Sequence, residues 1–285
     1  DVMVLARELN LQQVARISES IQKEQIKGPS GNLVQIELFA HGALCMAISG
    51  KCYLSLHEYN YSANRGTCLQ ICRRGYTVAD KETGRQLDVD SEYIMSPKDL
   101  STIGFLDKII RAGVTILKIE GRARPPEYVK TVTRCYREAV NAVLDETYSL
   151  EKIDRWKKQL SEVFNRGFWD GYYLGQRLGE WNTRYGSRAK KRKLYVGKVT
   201  NFFKNIQVAE FTAETTAVET GDELMIFGPT SGVVETTAEE IRINLKKVEK
   251  AEKGTRFSVK VPQTVRRSDK LYKVITVEEK DLKEK

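Results

Sequence analysis

Short apolar runs alternate with amphipathic segments over residues 1–180, and this alternation constrains the fold more than any other feature of the sequence. It is typical of β/α units, in which helices cover the faces of a largely parallel sheet. The apolar runs predict strands at VMVLA, LVQIELFA, SEYIMS and VTILKIE. The first 180 residues are therefore predicted to form an α/β domain.

The amphipathic segments predict helices beside these strands. In NLQQVARISESIQ one helical stripe holds the apolar residues Leu11, Val14, Ile17 and Ile21. The segment SPKDLSTIGFLDKIIRAG is predicted to begin a helix at Ser96 as N-cap, with Pro97 and Asp99 in the first turn. RPPEYVKTVTRCYREAVNAVLDE gives a helix with the apolar side Val129, Val132, Tyr136, Val140 and Val143. TVADKETGRQLDVD predicts a hairpin insertion around Gly84.

The last third of the chain has a different pattern. Short alternating runs separated by turn residues, LYVGKVTNF, NIQVAEF, DELMIFG, RFSVKV and KLYKVITV, predict a small antiparallel β-barrel domain over residues 194–278. A charged tail, residues 279–285, follows it. The domain boundary is placed in a basic linker, residues 181–193, which holds Arg184, Arg188, Lys190, Lys191, Arg192 and Lys193. This linker is either a solvated connection or a patch that contacts phosphates.

Hydropathy and net charge indicate which compartment and which kinds of partner to expect. No apolar run approaches the roughly 20 residues that cross a bilayer, and the start DVMVLARELN lacks the pattern of a signal peptide. We therefore expect a cytoplasmic protein with no membrane partner. A net charge of +9, from 47 basic and 38 acidic residues, permits a polyanionic partner without requiring one.

Four of the five cysteines lie close together, with the spacing Cys45-x6-Cys52-x15-Cys68-x3-Cys72. Because cytosolic thiols are kept reduced, such a cluster indicates metal binding more than disulfides. Four thiolates suit an iron-sulfur cluster or a structural zinc, and buried unliganded thiols are the third reading. The spacing favours iron-sulfur, because structural zinc sites usually contain two closely spaced pairs. The fifth cysteine, Cys135, lies mid-helix and is predicted to be a packed thiol.

Several motifs carry a resemblance to a known family. Five motifs are IELFAHGALCMAISGKC, NRGTCLQICRRGY, YIMSPKDL, LKIEGRARPPEYV and NRGFWDGYYLG. Together they resemble peptidase family U32, the collagenase-like proteins that include prephenate-dependent tRNA uridine hydroxylases. The resemblance covers most of residues 1–180. It implies a partial or modified TIM-barrel-like catalytic domain, followed by a C-terminal β-barrel similar to modules of translation factors. Since roughly four β/α units precede the linker and eight close a TIM barrel, we expect residues 1–180 to be its C-terminal part.

The resemblance also implies chemistry. Its cofactor would be a [4Fe-4S] cluster on Cys45, Cys52, Cys68 and Cys72, with prephenate as the co-substrate that donates a hydroxyl group and zinc as the alternative metal. Its expected activity is hydroxylation of the tRNA wobble uridine to 5-hydroxyuridine, with the anticodon arm as partner. Related members act on ribosomal RNA or small aromatic substrates. The alternatives are a collagenase-like peptidase and a non-catalytic RNA-binding or assembly subunit. A homo-oligomer, or a hetero-oligomer with a related family member, is a further partner that the resemblance implies.

Polar residues on two predicted strands indicate where such chemistry lies. Gln35 and Glu37 share one face of their strand, and Lys118 and Glu120 share one face of theirs. In a parallel barrel such residues line the catalytic mouth, so Glu37, His41, Lys118 and Glu120 are predicted catalytic residues. The alternative is a buried ion pair between Lys118 and Glu37 or Glu120, and a supporting or substrate-contacting role for His41.

Two arginines are predicted to bind the substrate anion. Arg122 follows the strand VTILKIE, where a planar guanidinium could grip a carboxylate with two hydrogen bonds. Arg65 lies beside the cysteines, although an arginine in such a place more often fixes a loop. Conventional hydrolysis has little support, because the sequence contains neither H-E-x-x-H nor G-x-S-x-G and has 2 histidines.

Overall fold

The computed structural model describes residues 1–86, 95–175, 179–181 and 186–277. The chain divides into two compact units, Asp1–Arg188 and Ala189–Lys285, and this division falls inside the predicted linker. Most of the predicted strand SEYIMS, Arg184 of the linker, and the predicted charged tail lie outside the described residues. None of the described helices is long and apolar enough to cross a membrane.

The N-terminal unit is built around one long central strand. Its strands are β1 (Val2–Val4), β2 (Gln35–Ala43), β3 (Asp99–Ser101), β4 (Ile116–Ile119) and β5 (Phe168–Trp169). Strand β2 pairs in parallel with β1 and β4, and antiparallel with β3, which pairs in parallel with β5. The predicted α/β class is confirmed. A TIM barrel is not seen in the described part of the chain, because this sheet has five strands and one antiparallel pairing.

Five helices accompany the sheet: α1 (Leu11–Lys23), α2 (Leu54–Tyr59), α3 (Leu106–Arg111), α4 (Pro126–Leu144) and α5 (Leu150–Glu162). Helix α1 begins with a capping box between Asn10 and Gln13 and buries Val14 and Ile21, two residues of the predicted stripe. Helix α4 begins at the predicted prolines. It buries Val132 and Tyr136 as predicted but leaves Val129 46% exposed, because the buried face is rotated toward Tyr128 and Cys135.

The helix predicted to begin at Ser96 is wrong in its first half. Residues Asp99–Ser101 form strand β3, and helix α3 begins only at Leu106. The capping pattern is local, whereas β3 gains pairing with both β2 and β5 and places the Asp99 carboxylate against Arg124 at 2.8 Å. Tertiary pairing therefore overrides the local helix signal at this position. The predicted hairpin is seen in part, as a bridge between Ala79 and Gln86.

The C-terminal unit is an antiparallel β structure. Its strands are β6 (Lys191–Phe203), β7 (Val208–Ala213), β8 (Val218–Glu219), β9 (Glu223–Gly228), β10 (Gly232–Thr237), β11 (Ile241–Ile243), β12 (Lys246–Val248), β13 (Lys250–Ala251), β14 (Arg256–Lys260) and β15 (Lys270–Thr276). Eight of them pair in the order β10-β9-β15-β6-β7-β14-β11-β12, and β8 pairs with β13.

The core of this unit lies inside the curled eight-stranded sheet, where Val196, Phe211 and Phe257 are buried. Backbone pairing among residues 186–277 runs from β10 to β12 in one large antiparallel sheet, which agrees with the antiparallel β domain predicted for this part of the chain. A hydrogen bond from Thr236 Oγ1 to Lys260 O, 3.3 Å, brings the end of β10 close to the end of β14. The curvature follows from strand twist, which curls long antiparallel sheets around one apolar face.

Candidate functional site

The cysteine-rich segment follows the C-terminal end of β2 and returns to the sheet at β3. Between them the chain forms helix α2 and two short 3-10 turns, Ala63–Arg65 and Ile71–Arg73. Cys45 is exposed, Cys52, Cys68 and Cys72 are partly buried, and Cys135 is buried elsewhere in helix α4. All five thiols are free. The fold therefore holds four of the five cysteines in one loop system at a sheet edge.

These four cysteines line one cavity of ≈ 390 Å³. Its other walls come from Phe39 and Ala43 of β2, and from Glu120 and Arg122 just after β4. Arg7, which follows β1, also reaches it. Since β1, β2 and β4 run parallel, these side chains meet at the edge where the three strands end. Ligand sites commonly lie at this carboxyl edge in α/β folds.

The donor set of this cavity fits a thiolate-bound metal group. Burial raises the pKa of Cys72, the neighbouring Arg73 lowers it, and Cys45, Cys68 and Cys52 raise it further, so the four sulfurs lie within electrostatic reach of one another. Among the described residues, no three or more His, Cys, Asp or Glu side chains are grouped tightly enough to hold a metal ion. Thiolates are the soft ligands of iron-sulfur clusters and of structural zinc, so the residue types are those of either group.

Hydrogen bonds from outside the segment hold the cysteine loops. Ser49, between Cys45 and Cys52, donates to Glu8 Oε1 from its backbone nitrogen at 2.9 Å, and Arg7 Nη2 donates to Ser49 Oγ at 3.4 Å. Within the segment itself, Asn64 Nδ2 donates to Gly50 O at 3.0 Å. The β1–α1 connection therefore fixes the first cysteine loop from the side of the sheet.

Arg73 is a buried residue that sequence reasoning missed. It is 9% exposed, and its guanidinium donates to Leu44 O at 2.5 Å, to Pro97 O at 2.6 Å and to Ser96 Oγ at 3.0 Å. Arg7 was missed as well, although its place after the first predicted strand was a usable signal. Arg73 had no such signal, because its partners lie 23 to 29 residues away in the sequence.

The predicted polar residues on β2 and β4 occupy two different places. Lys118 Nζ lies 2.8 Å from Glu37 Oε1, so these two residues form an ion pair as the alternative interpretation had it. The pair is not buried, because 41% of the Lys118 side chain is exposed. Neither lines the cavity. Glu120 and Arg122 do line it, and Glu120 Oε1 accepts a hydrogen bond from the Arg122 backbone nitrogen at 2.6 Å.

His41 lies in the core of the N-terminal unit. It is 1% exposed, its Nδ1 lies 3.3 Å from Tyr136 Oη, and its ring packs against Tyr128 and Phe168. Burial, assisted by the charge of Arg124, lowers the pKa of His41 to about 3. The imidazole is therefore neutral near pH 7 and does not line the cavity, which favours a supporting role over that of proton carrier.

The remaining predicted anion-binding groups lie outside the cavity wall. Arg65 is exposed in its 3-10 turn, next to Asn64, which does line the cavity. In the basic linker, Lys191 Nζ pairs with Glu223 at 2.8 Å, and Lys193 Nζ lies 5.2 Å from the Tyr272 ring centroid. The last residues of the linker, from Lys191, therefore form the start of strand β6.

Comparisons with known proteins give one family and several relatives. The profile of "Peptidase family U32" matches residues 1–183. A collagenase of Porphyromonas gingivalis is 62% identical over 273 residues, 96% of this chain and 66% of that protein. The tRNA hydroxylation protein P1 of Bacillus subtilis is 32% identical, over 80% of this chain and 52% of that protein. A 23S rRNA 5-hydroxycytidine synthase of Escherichia coli is 36% identical, over 62% of this chain and 26% of that protein. The chain thus spans 66% or less of the length of these three relatives.

Proposed function

The chain belongs to peptidase family U32, and from this premise we propose that it takes part in hydroxylation of an RNA base, the wobble uridine of tRNA, with prephenate as hydroxyl donor. The family is given by the match over residues 1–183 and by the identity to its relatives. The choice of RNA as substrate draws on two relatives whose names state tRNA hydroxylation and 5-hydroxycytidine synthesis in 23S rRNA.

The observation that carries this proposal is the cavity lined by Cys45, Cys52, Cys68 and Cys72. Four free thiols around one cavity match the ligand complement of a [4Fe-4S] cluster. When bound, such a cluster would supply either an iron with an open position, acting as a Lewis acid, or electron transfer. Zinc is the alternative metal for the same thiols.

The arginines at the cavity give the site a preference for anions. Arg7 and Arg122 line it from the ends of β1 and β4, and Arg122 is exposed. A guanidinium binds a carboxylate through two parallel hydrogen bonds, so this pair suits a small dicarboxylate such as prephenate. Glu120, beside Arg122, is the acidic group at the cavity that could accept a proton from the substrate.

The RNA would be bound largely through its phosphates. The basic linker and the C-terminal unit supply lysines and arginines, and a bound anticodon loop presents an already unpaired base to the site. Binding through phosphates weakens steeply with salt. We expect tRNA affinity to fall by a factor of ten or more between roughly 50 and 200 mM salt.

A second candidate function is peptide hydrolysis, favoured by the relative named collagenase at 62% identity. The geometry of the cavity gives this chemistry less support. No histidine lines the cavity, and burial raises the pKa of Cys72, so a thiolate nucleophile with a histidine base is not assembled there. Cleavage of denatured collagen by the purified protein, sensitive to Cys72→Ser, would favour the peptidase.

The metal is tested first. Anaerobic purification and reconstitution with iron and sulfide should give a brown protein holding close to four irons per chain. Cys68→Ala should lose this cluster, and the matched control Cys135→Ala, whose thiol lies in helix α4, should keep it. One zinc and no sulfide per chain would reject the iron-sulfur proposal.

The substrate is tested in cells. Nucleosides of total tRNA are measured by mass spectrometry in a strain that lacks the gene and has no redundant pathway. The strain is complemented with wild type, Arg122→Ala, or the control Arg111→Ala on the exposed side of helix α3. We expect 5-hydroxyuridine derivatives to disappear in the deletion and to return with wild type and the control. Unchanged levels in the deletion would reject tRNA and leave ribosomal RNA or a small aromatic compound as substrate.

A further inference from the structure

The structure assigns a positioning role to Arg73: we propose that it fixes the first and last cysteine loops relative to each other and supplies buried positive charge to a metal group bound by the four cysteines. This inference rests on the proposed function, because it assumes that Cys45 and Cys72 are ligands.

The hydrogen bonds of Arg73 join three separate pieces of backbone. The residue follows Cys72 directly, and its Nη2 donates to the carbonyl of Leu44, the residue before Cys45. Its Nη1 donates to Pro97 O at 2.6 Å and Ser96 Oγ at 3.0 Å, just before strand β3. One planar guanidinium thus connects the loop of Cys45, the loop of Cys72 and the sheet.

The charge of Arg73 is not neutralised by a carboxylate. Asp99 pairs instead with Arg124 at 2.8 Å and with Arg166 at 3.5 Å, and the described part of the chain provides no ion pair to Arg73. Three largely buried guanidinium groups therefore share the field of one carboxylate, and this leaves an excess of positive charge beside the cavity. A buried charge without a counterion is costly, so the site is suited to an anionic occupant.

Arg73 follows Cys72 directly in the chain and lines the same cavity as the four cysteines. A set of four thiolates around a cluster carries net negative charge, which this arginine would balance from a fixed position.

The test compares Arg73→Gln and Arg73→Lys with wild type. The matched control is Arg74→Gln, which makes the same change one residue along, where the side chain is exposed and donates to Tyr59 Oη. Each purified full chain is reconstituted anaerobically with iron and sulfide. The readouts are the rate of iron loss to a chelator, the reduction potential followed by electron paramagnetic resonance, and far-ultraviolet circular dichroism.

We expect Arg73→Gln to lose iron about 10- to 100-fold faster than wild type, the usual effect of removing a residue that supports metal ligands, and to be reduced at a more negative potential. Arg73→Lys keeps the charge but not the planar fork, so it should keep a potential closer to wild type and still lose iron about tenfold faster. Arg74→Gln should match wild type in both readouts.

Two results would overturn the inference. One is an Arg73→Gln chain that is folded, loses iron within a factor of two of the wild-type rate and keeps the wild-type potential. If Arg73→Gln does not fold, the test rests on Arg73→Lys. An Arg73→Lys chain that loses iron as slowly as wild type would also overturn the inference. A wild-type chain that takes up no iron and sulfide would reject the proposed cluster and, with it, this role of Arg73.

Discussion

Replacing Asp99 by alanine is predicted to destabilise the N-terminal unit by about 3–5 kcal/mol, the usual cost of removing one partner of a buried ion pair. The carboxylate is 1% exposed and lies 2.8 Å from Arg124, whose side chain is 2% exposed. It also accepts a hydrogen bond from the Arg166 backbone nitrogen at 3.2 Å. Its loss leaves these donors, and the nearby charge of Arg73, with no anion in a buried region.

The tryptophans allow this effect to be measured on one unit. All 3 tryptophans, Trp156, Trp169 and Trp181, lie before residue 189, so tryptophan fluorescence, excited where tyrosine does not absorb, reports urea unfolding of the N-terminal unit alone. The matched control is Asp107→Ala. Its carboxylate pairs with Arg111 across one turn of helix α3, where the arginine side chain is 74% exposed. We expect that control to lose less than about 1 kcal/mol.

Asp99→Ala and Asp107→Ala each remove the carboxylate of an ion pair, and only the Asp99 pair is fully buried. Comparing them shows how much of the lost stability is due to burial. If Asp99→Ala lost less than about 1 kcal/mol, like the control, then the reasoning from buried, unpaired guanidinium groups would be wrong. An Asp99→Asn variant adds a second check, because it keeps the shape of the side chain and removes its charge. It should fall between wild type and Asp99→Ala.

Three further predictions use the same fluorescence assay. The pKa of His41 is about 3 in the folded chain against 6.5 in the unfolded chain. As the pH falls from 6.5 to 5, the unfolded chain therefore binds the proton, and the free energy of unfolding of wild type should fall by about 1.5–2 kcal/mol through this group. His41→Phe should not show this pH-dependent loss. Gly42→Ala should lower the free energy of unfolding by about 1–3 kcal/mol, because φ is +115° and a Cβ would lie 2.6 Å from Glu120 O. The control Gly50→Ala, at φ +75° with open space around it, should lower it less. Equal losses in the two variants would contradict the steric argument. Cys135→Ala should cost about 1 kcal/mol through its lost contact with Gln159, 3.2 Å away, and should leave the iron content per chain unchanged.

Local sequence signals predicted the elements that depend on near neighbours. Helix α1 begins where Asn10 and Gln13 form a capping box, and α4 begins at the predicted prolines. Five strands of the C-terminal unit, β6, β7, β9, β14 and β15, were predicted because alternation with a period of two is itself local. The shorter strands β8 and β10 to β13 were not predicted. The same local reasoning failed at Ser96, where the capping pattern was outweighed by pairing of β3 with two distant strands.

Part of the candidate site was also predictable from the sequence, and part was not. The residue types and spacing of Cys45, Cys52, Cys68 and Cys72 predicted that they lie together, and all four line one cavity. The ends of the predicted strands likewise indicated Glu120 and Arg122, which also line it. The separate places of the Glu37–Lys118 ion pair and of the cavity could not be predicted. Which face of a strand borders a cavity depends on the loops that cover it.

The sequence by itself determined the family, the alternation of strands and helices, and the supply of four thiols in one segment, because each is encoded by residues that are close along the chain. Only the tertiary structure decided that His41 is buried and neutral, that Asp99 holds two arginines, and that Arg73 joins the cysteine loops. Burial and charge pairing arise between segments far apart in sequence, and the free energy of a charge depends on which of those segments exclude water from it.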